Sequence, residues 1–442
     1  MHIHDVVVAG FGPSGISLAA AIEDHDDAHQ GTGPLDAVYL ERSATSAWQP
    51  NQVLPGTDIQ HHFLRDLATP RDPRSRFSFT NFLMQSGRFY PFTLLGGYVS
   101  RLEWSEYVQW AAAQVRGQAE YHREVLRVEP VTDADGTVRT ARVISRDPRD
   151  GTTHEHLSRN VVLATGHVPY VPESFQKHVG ERVFHASEFL PRMTALRENL
   201  GRAPRFAIIG AGQTAGEIIL YLANAHPDAR IHSLVRHGGF KMYELGHFSN
   251  EAYFPAETDY FYGLEGDARE RALAHARATN YSAVDPDVST ALYQAAYQDR
   301  LSGTNRLHMH RRVEVTDLAV SESGVRLTTS EVYTEEAGAI EADAVILCTG
   351  YTEPQFPTAL EPFAPHLSHD ADGLLNVTRA YRAENSDRCT VGIYLDGMTE
   401  WRHGIASATS FSQMATKADT VHRDLRATIA RQQQVASAAL VV

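Results

Sequence analysis

HDVVVAGFGPSGISLAAAI, residues 4–22, decides the reading of the fold. A short apolar run, Val6–Ala9, meets Gly10, Gly12 and Gly15, and an apolar helical pattern follows, which spells strand, tight turn, helix. Such a turn asks for backbone angles that glycine adopts without penalty, for a bare backbone where a pyrophosphate approaches, and for close helix–strand packing. The helix N-terminus then offers free N–H groups to the anion. Gly10, Gly12, Pro13, Ser14 and Gly15 are the expected contacts. A single glycine turn is weak evidence, but DAVYLER (36–42) adds a second apolar strand ending in Glu41, placed to accept hydrogen bonds from a ribose.

The pattern recurs in RFAIIGAGQTAGEIILYLANA (205–225), with Gly210 and Gly212, then Ala215 or Gly216 at the packing position, and Gln213 and Thr214 opening the helix. Here the next strand, ARIHSLVRHGGFK (229–241), ends in Arg236 with His237 and Lys241 close behind. A cation suits the 2′-phosphate of NADPH, because guanidinium and phosphate pair in a planar, charge-assisted geometry. The plainer alternative, a solvated loop arginine, stays open. Two dinucleotides side by side imply hydride transfer from nicotinamide to flavin, so FAD and NADPH are the expected cofactors.

VVLATGHVPYVP (161–172) and DAVILCTGYTEP (343–354) each run a strand into a glycine turn, at Gly166 and at Gly350–Tyr351, and read as crossings between domains. The expected fold class is α/β, with two Rossmann-like dinucleotide-binding domains and a smaller helical substrate region. Residues 1–168 and 345–442 are assigned to FAD, and 169–344 to NADPH, the latter carrying a mainly helical, substrate-proximal insertion at about 240–300. Two stretches with Asp-Gly turns or β alternation, 128–157 and 313–347, read as connecting meanders, and the tail from Asp419 reads as a helix with a loose end.

Composition narrows the classes. A formal charge of −14 over 442 residues, with no Lys/Arg block to offset it, argues against nucleic acid. No run approaches the roughly 18 apolar residues of a membrane span, and the opening MHIHDVVVAGFG lacks a signal-peptide pattern, so the cytoplasm is the expected address. The two cysteines, Cys348 and Cys389, form no CxxC, which disfavours a dithiol redox centre and a zinc site. None of the 23 histidines falls in an HExxH-like pattern, and no metal is expected.

Beyond the glycine turns, LPGTDIQHHFLRDLATPRDPRSRFSFTNFL (54–83), GRFYPF (87–92), RLEWSEYVQWAA (101–112), FHASEF (184–189) and the NYS of Asn280–Ser282 stand out. Together these resemble the N-hydroxylating flavoprotein monooxygenases, the ornithine and lysine N-monooxygenases of siderophore biosynthesis, and the likeness runs through nearly the whole chain. The resemblance implies that oxygen from a flavin hydroperoxide is transferred to the primary amine of a small amino acid. It places Gln60 beside the flavin, with Trp48 and Gln49 where the family shows Trp-His. Arg65 falls where ornithine-type enzymes carry a carboxylate-binding lysine, and Asn250 and Asn280 match two asparagines that contact substrate and nicotinamide ribose. His62, Ser410 and Ser412 complete the expected substrate contacts, and Gln60 and Asn280 are the candidates nearest the chemistry.

The C-terminal WRHGIASATSFSQMA (401–415) departs from the family pattern, with Ser407 in place of an aspartate and Thr409 to Ser412 where apolar residues and one serine are usual. Substrate identity is therefore open. Arg65 favours a carboxylated substrate, and with His61 and His62 adjacent, L-aspartate or another short acidic amine is the alternative to ornithine or lysine. An S- or carbonyl-oxygenating flavin enzyme is a further alternative, and a non-catalytic NADPH sensor another. The resemblance leaves a homo-oligomer, dimer or tetramer, open.

Overall fold

The computed structural model describes residues 2–29, 33–196, 200, 203–371, 373–407 and 410–439. Two parallel five-stranded sheets organise the chain. The first has the order Gly392–Leu395, Asn160–Leu163, Val6–Ala9, Ala37–Glu41, Gln118–Tyr121. Its inner strands VVVA and NVVL are buried throughout, as a parallel sheet covered on both faces requires. One cover is the helix Pro13–Ala28, which packs on the long C-terminal helix Met414–Ala439. That contact closes the first unit from the two ends of the chain.

The second sheet has the order Val183–His185, Ala344–Leu347, Arg205–Ile209, Arg230–Val235, Leu307–Arg311. Strand Ala344–Leu347 lies inside it, between Val183–His185 and Arg205–Ile209, so the second sheet runs past the expected boundary at 345 as far as Leu347. The crossings at Gly166 and Gly350 pair with each other, Val168–Pro169 running antiparallel to Tyr351–Thr352. Both expected meanders form, Glu124–Thr132, Val138–Arg146 and Thr153–Ser158 on one side, and Val313–Ser321, Gly324–Glu331 and Ala337–Ala342 on the other.

Between Gly246 and Leu301 the chain is mainly helical, and Gly216 packs against Val288 and Leu292 of the helix Pro286–Leu301. No helix among the described residues is long and apolar enough to cross a membrane. Cys348 and Cys389 are both free thiols, and burial pushes Cys389 up to about 11.

Candidate active site

Both glycine turns have the shape a dinucleotide needs. Gly10 sits at φ +102°, and a Cβ there would lie 2.3 Å from the Ala164 carbonyl oxygen, while one on Gly15 would lie 2.2 Å from the Gly10 carbonyl oxygen. Around Gly12 nothing comes within 4 Å of that position, so the backbone face at the helix start is open. In the second turn Gly210, at φ +138°, presses on the Cys348 carbonyl and Gly212 is open. The packing position is Gly216, whose Cβ would meet Val288 Cγ1 at 2.7 Å, while Ala215 is an ordinary buried alanine. Pro13 and Gln213 open the two helices, with Ser14 and Thr214 in their first turns, and these bare N-termini fit two pyrophosphates. Gly10→Ala is expected to abolish flavin retention, since the methyl collides with backbone and the strained φ adds about 1–3 kcal/mol. Flavin absorbance per polypeptide after purification checks it.

The strand ends also hold their expected residues. The Glu41 carboxylate accepts from the Phe11 and Ser43 backbone N–H groups, each at 2.9 Å, which fixes it beside the first turn. Arg236 is 70% exposed, and the nearest acid, Glu314, stands 3.8 Å away. On the neighbouring strand Arg311 lies in register with Val235, exposed and paired with no acid among the described residues. The sequence conceals this second cation, since only the parallel register brings residue 311 beside 236. Gly166 and Gly350 adopt φ +70° and +80°. His185 Nε2 donates to the Gly350 carbonyl at 2.9 Å, and the exposed Tyr351 ring meets His185 edge-on at 5.2 Å.

The block 54–83 runs through turns into the helix Phe79–Gln85, and the buried Asp66 carboxylate gathers the N–H groups of Ala68, Thr69 and Phe79 into a knot. Within it Arg65 Nη1 donates to Ser412 Oγ at 3.0 Å, and Ser410 Oγ accepts the Ser412 N–H at 3.2 Å. Residues 347 positions apart therefore meet. Behind them stands an aromatic wall: Phe411 receives the Trp48 edge at 5.5 Å, stacks with His61 at 5.0 Å and meets Trp104 at 5.3 Å.

The two histidines part company. Burial pushes His61 down to about 4, which makes it neutral near pH 7, and its Nε2 is buried without a hydrogen-bond partner among the described residues. His62 is exposed, stacks on Phe63 and accepts the Leu64 N–H at 3.2 Å. The expected substrate contact at His62 therefore gains nothing from the structure, and His61, read in the sequence only as a neighbouring cation, presents an unused polar atom at the wall.

The asparagine segments are tied together, for the Tyr253 hydroxyl donates to the Thr279 carbonyl at 3.0 Å. Asn280 is half-buried with its side-chain amide unbonded among the described residues, while Asn250 makes one long local bond, to the Gly246 carbonyl at 3.4 Å. Beside Asn280, the Tyr281 hydroxyl donates to the buried Glu400 carboxylate, and burial raises Glu400 above its ordinary range. Sequence reasoning missed this pair, whose members lie 119 residues apart. Ser407 is a plug: its Oγ donates to the His403 carbonyl at 3.0 Å and accepts from the Tyr381 hydroxyl at 3.3 Å. Thr409 lies outside the described residues.

A polar clasp joins the two units. Exposed Gln60, with Gln49 exposed upstream, donates from Nε2 to Asp285 Oδ2 at 3.1 Å. The Asp285 N–H donates to Gln213 Oε1 at 2.8 Å, and Gln213 Nε2 to Glu217 Oε1 at 3.1 Å. Glu217 in turn takes both Arg101 Nη groups, at 2.8 and 2.7 Å, with both side chains buried. Beside this clasp, burial and then Asp287, Asp285 and Glu217 push Asp58 up to about 6. A raised carboxylate stabilises the fold when protonated, so wild-type stability falls as pH rises from about 4 through 6. Asp58→Asn is therefore expected to raise the melting temperature at pH 7.5, with the gain shrinking below pH 6 and vanishing near pH 4, as a series of thermal melts would show.

Comparison with known proteins shows the family. Residues 2–353 match the family described as L-lysine 6-monooxygenase/L-ornithine 5-monooxygenase. An L-ornithine N(5)-monooxygenase of Pseudomonas aeruginosa is 33% identical over 96% of this chain and 94% of its own. Among solved structures, an ornithine N-hydroxylase of Kutzneria sp. 744, determined with reduced FAD, NADP+ and L-ornithine, superposes with a TM-score of 0.89 at 31% identity, covering 96% of this chain and 99% of that one. An L-lysine 6-monooxygenase of Pseudomonas syringae gives a TM-score of 0.86 at 37% identity, with coverage of 96% and 99%. The chain belongs to the L-lysine 6-monooxygenase/L-ornithine 5-monooxygenase family of N-hydroxylating flavoenzymes.

Proposed function

We propose that this chain is an FAD- and NADPH-dependent monooxygenase that hydroxylates the primary amine of a small amino acid of the ornithine or lysine type. The first unit would hold FAD at the Gly10–Gly15 turn with Glu41 on its ribose. The second would hold NADPH at the Gly210–Gly216 turn, with Arg236 and Arg311 toward its 2′-phosphate. Bound there, the two cofactors supply hydride transfer and the activated oxygen that goes to nitrogen.

What the chain's own residues do is bind, orient and exclude water. The observation that carries the substrate reading is Arg65 held against Ser412 in front of the aromatic wall. A guanidinium fixed by one N–H keeps others for a carboxylate, so the substrate is anchored at its amino-acid end. Its distal nitrogen must be neutral, since an ammonium has no lone pair, and the unbonded Asn280 amide is the group to hold it in line. Trp48, Trp104 and Phe411 keep water from the reacting atoms. The geometry also weighs against aspartate. A second acidic group would need the adjacent histidines as cations, and with His61 neutral and His62 turned outward, Arg65 is left without their help.

NADPH-driven oxygen consumption with ornithine, lysine, putrescine and aspartate tests the reading. Ornithine or lysine should give the highest kcat/KM. Arg65→Ala should raise KM for the amino acid about 10- to 100-fold, the worth of a charge-assisted hydrogen bond of about 1.5–3 kcal/mol, and leave turnover of putrescine unchanged. A preference for aspartate, or equal losses for putrescine and the amino acids, would overturn it.

A further inference from the structure

We propose that His2, His4 and Asp36 form a divalent metal site of the zinc class, remote from the catalytic machinery. His2 and His4 are two apart at the first strand, Ile3–His4, and strand alternation puts them on one side. Both face the same carboxylate: His2 Nε2 lies 2.6 Å from Asp36 Oδ2, and His4 Nδ1 lies 3.1 Å from Asp36 Oδ1. One ligand atom from each residue lies within 4.8 Å of the other two. Around a tetrahedral zinc with bonds of about 2.0–2.2 Å, neighbouring ligand atoms stand about 3.3 Å apart.

The backbone that carries the carboxylate is also fixed in place. The Asp36 carbonyl accepts the N–H groups of Asp5 and Val6 at 3.0 and 3.2 Å, and its own N–H donates to Asp5 Oδ2 at 3.3 Å. These bonds lock Asp36 to the chain segment that carries the histidines. Further back, the His156 ring lies 5.8 Å from His4, and His156 Nε2 pairs with Glu120 Oε1 at 3.1 Å, which buttresses the inner ligand. The outer face is open, with the His2 side chain 69% and Asp36 41% exposed, so water completes the coordination.

Two imidazoles and one carboxylate suit Zn²⁺ and its neighbours, whereas Ca²⁺ and Mg²⁺ require all-oxygen shells. No local spacing motif reveals the site, because the carboxylate stands 32 residues beyond His4 and joins it only through the fold. The bound ion would close a loop from His4 to Asp36 that contains the whole first glycine turn and its helix. It would therefore stabilise the first unit without taking part in the chemistry.

Full-length protein with an unmodified N-terminus, stripped with EDTA, is dialysed against micromolar Zn²⁺ and its metal content measured. The expected result is one equivalent of zinc and a thermal midpoint raised by about 3 °C. Both should be lost in His4→Ala and Asp36→Asn, and also in His2→Ala, whose exposed side chain can be removed without disturbing the fold. Coupled hydroxylation at saturating cofactors should be unchanged in His2→Ala. No bound zinc, or zinc retained undiminished by His2→Ala and His4→Ala, would overturn the site.

Discussion

Asn280→Ala is expected to leave NADPH oxidation running while hydroxylated product falls by about 100-fold, with hydrogen peroxide released in its place. The asparagine amide makes no hydrogen bond among the described residues, although Tyr253 pins the segment before it to the Asn250 segment through the Thr279 carbonyl. A half-buried amide held on a fixed backbone and left unbonded is poised for a ligand. Removing it leaves both glycine turns and Arg65 intact, so the cofactor phosphates and the substrate carboxylate keep their expected anchors. What is lost is the alignment of nitrogen with the oxygen to be transferred, and misplacement by about 1 Å is enough for a loss of this size. Product, peroxide and NADPH measured in one reaction separate this outcome from a folding defect, in which all three would fall together.

Glu217→Ala is expected to destabilise the protein by about 3–5 kcal/mol. Arg101 and Glu217 are both buried, and burial pushes the Glu217 carboxyl up even with the guanidinium beside it. The arginine also donates to the Gln52 and Asp58 carbonyls, at 3.3 and 3.4 Å, so the pair ties the loop around residues 52–58 to the helix Gln213–Ala225 that follows the second glycine turn. Truncating the acid strands a buried cation. Replacing both partners together, as Arg101→Met with Glu217→Leu, should recover most of the loss, because an apolar pair has no charge to desolvate. Chemical denaturation of the two variants and wild type measures the difference, and a single-variant loss under about 0.5 kcal/mol would show that the pair contributes little.

The features legible in the sequence are those that backbone geometry dictates locally. Gly10 and Gly210 were readable because almost no other residue fits a positive φ against a carbonyl, and the Gly166 and Gly350 crossings because glycine turns interrupt apolar strands. The domain boundary slipped at Ala344–Leu347, since a buried apolar strand carries no mark of the sheet it joins. Which of the adjacent His61 and His62 goes inward is not written in the sequence, because the segment folds into turns around the buried Asp66. Arg311, Glu400 and the Arg101–Glu217 pair were out of reach, because each becomes part of a site only through strand register or through contacts more than a hundred residues long. The family pattern supplied Arg65 and Ser412 separately, and the fold supplied their contact.

The most direct test of N-hydroxylation is the yield of hydroxylated amine per NADPH, measured in air-saturated buffer with FAD-loaded enzyme and L-ornithine or L-lysine. The expected yield is close to one N-hydroxy amino acid formed per NADPH consumed, with little hydrogen peroxide. Peroxide as the sole product with every amine, or sulfoxide or lactone formed from other substrates while amines go untouched, would contradict it.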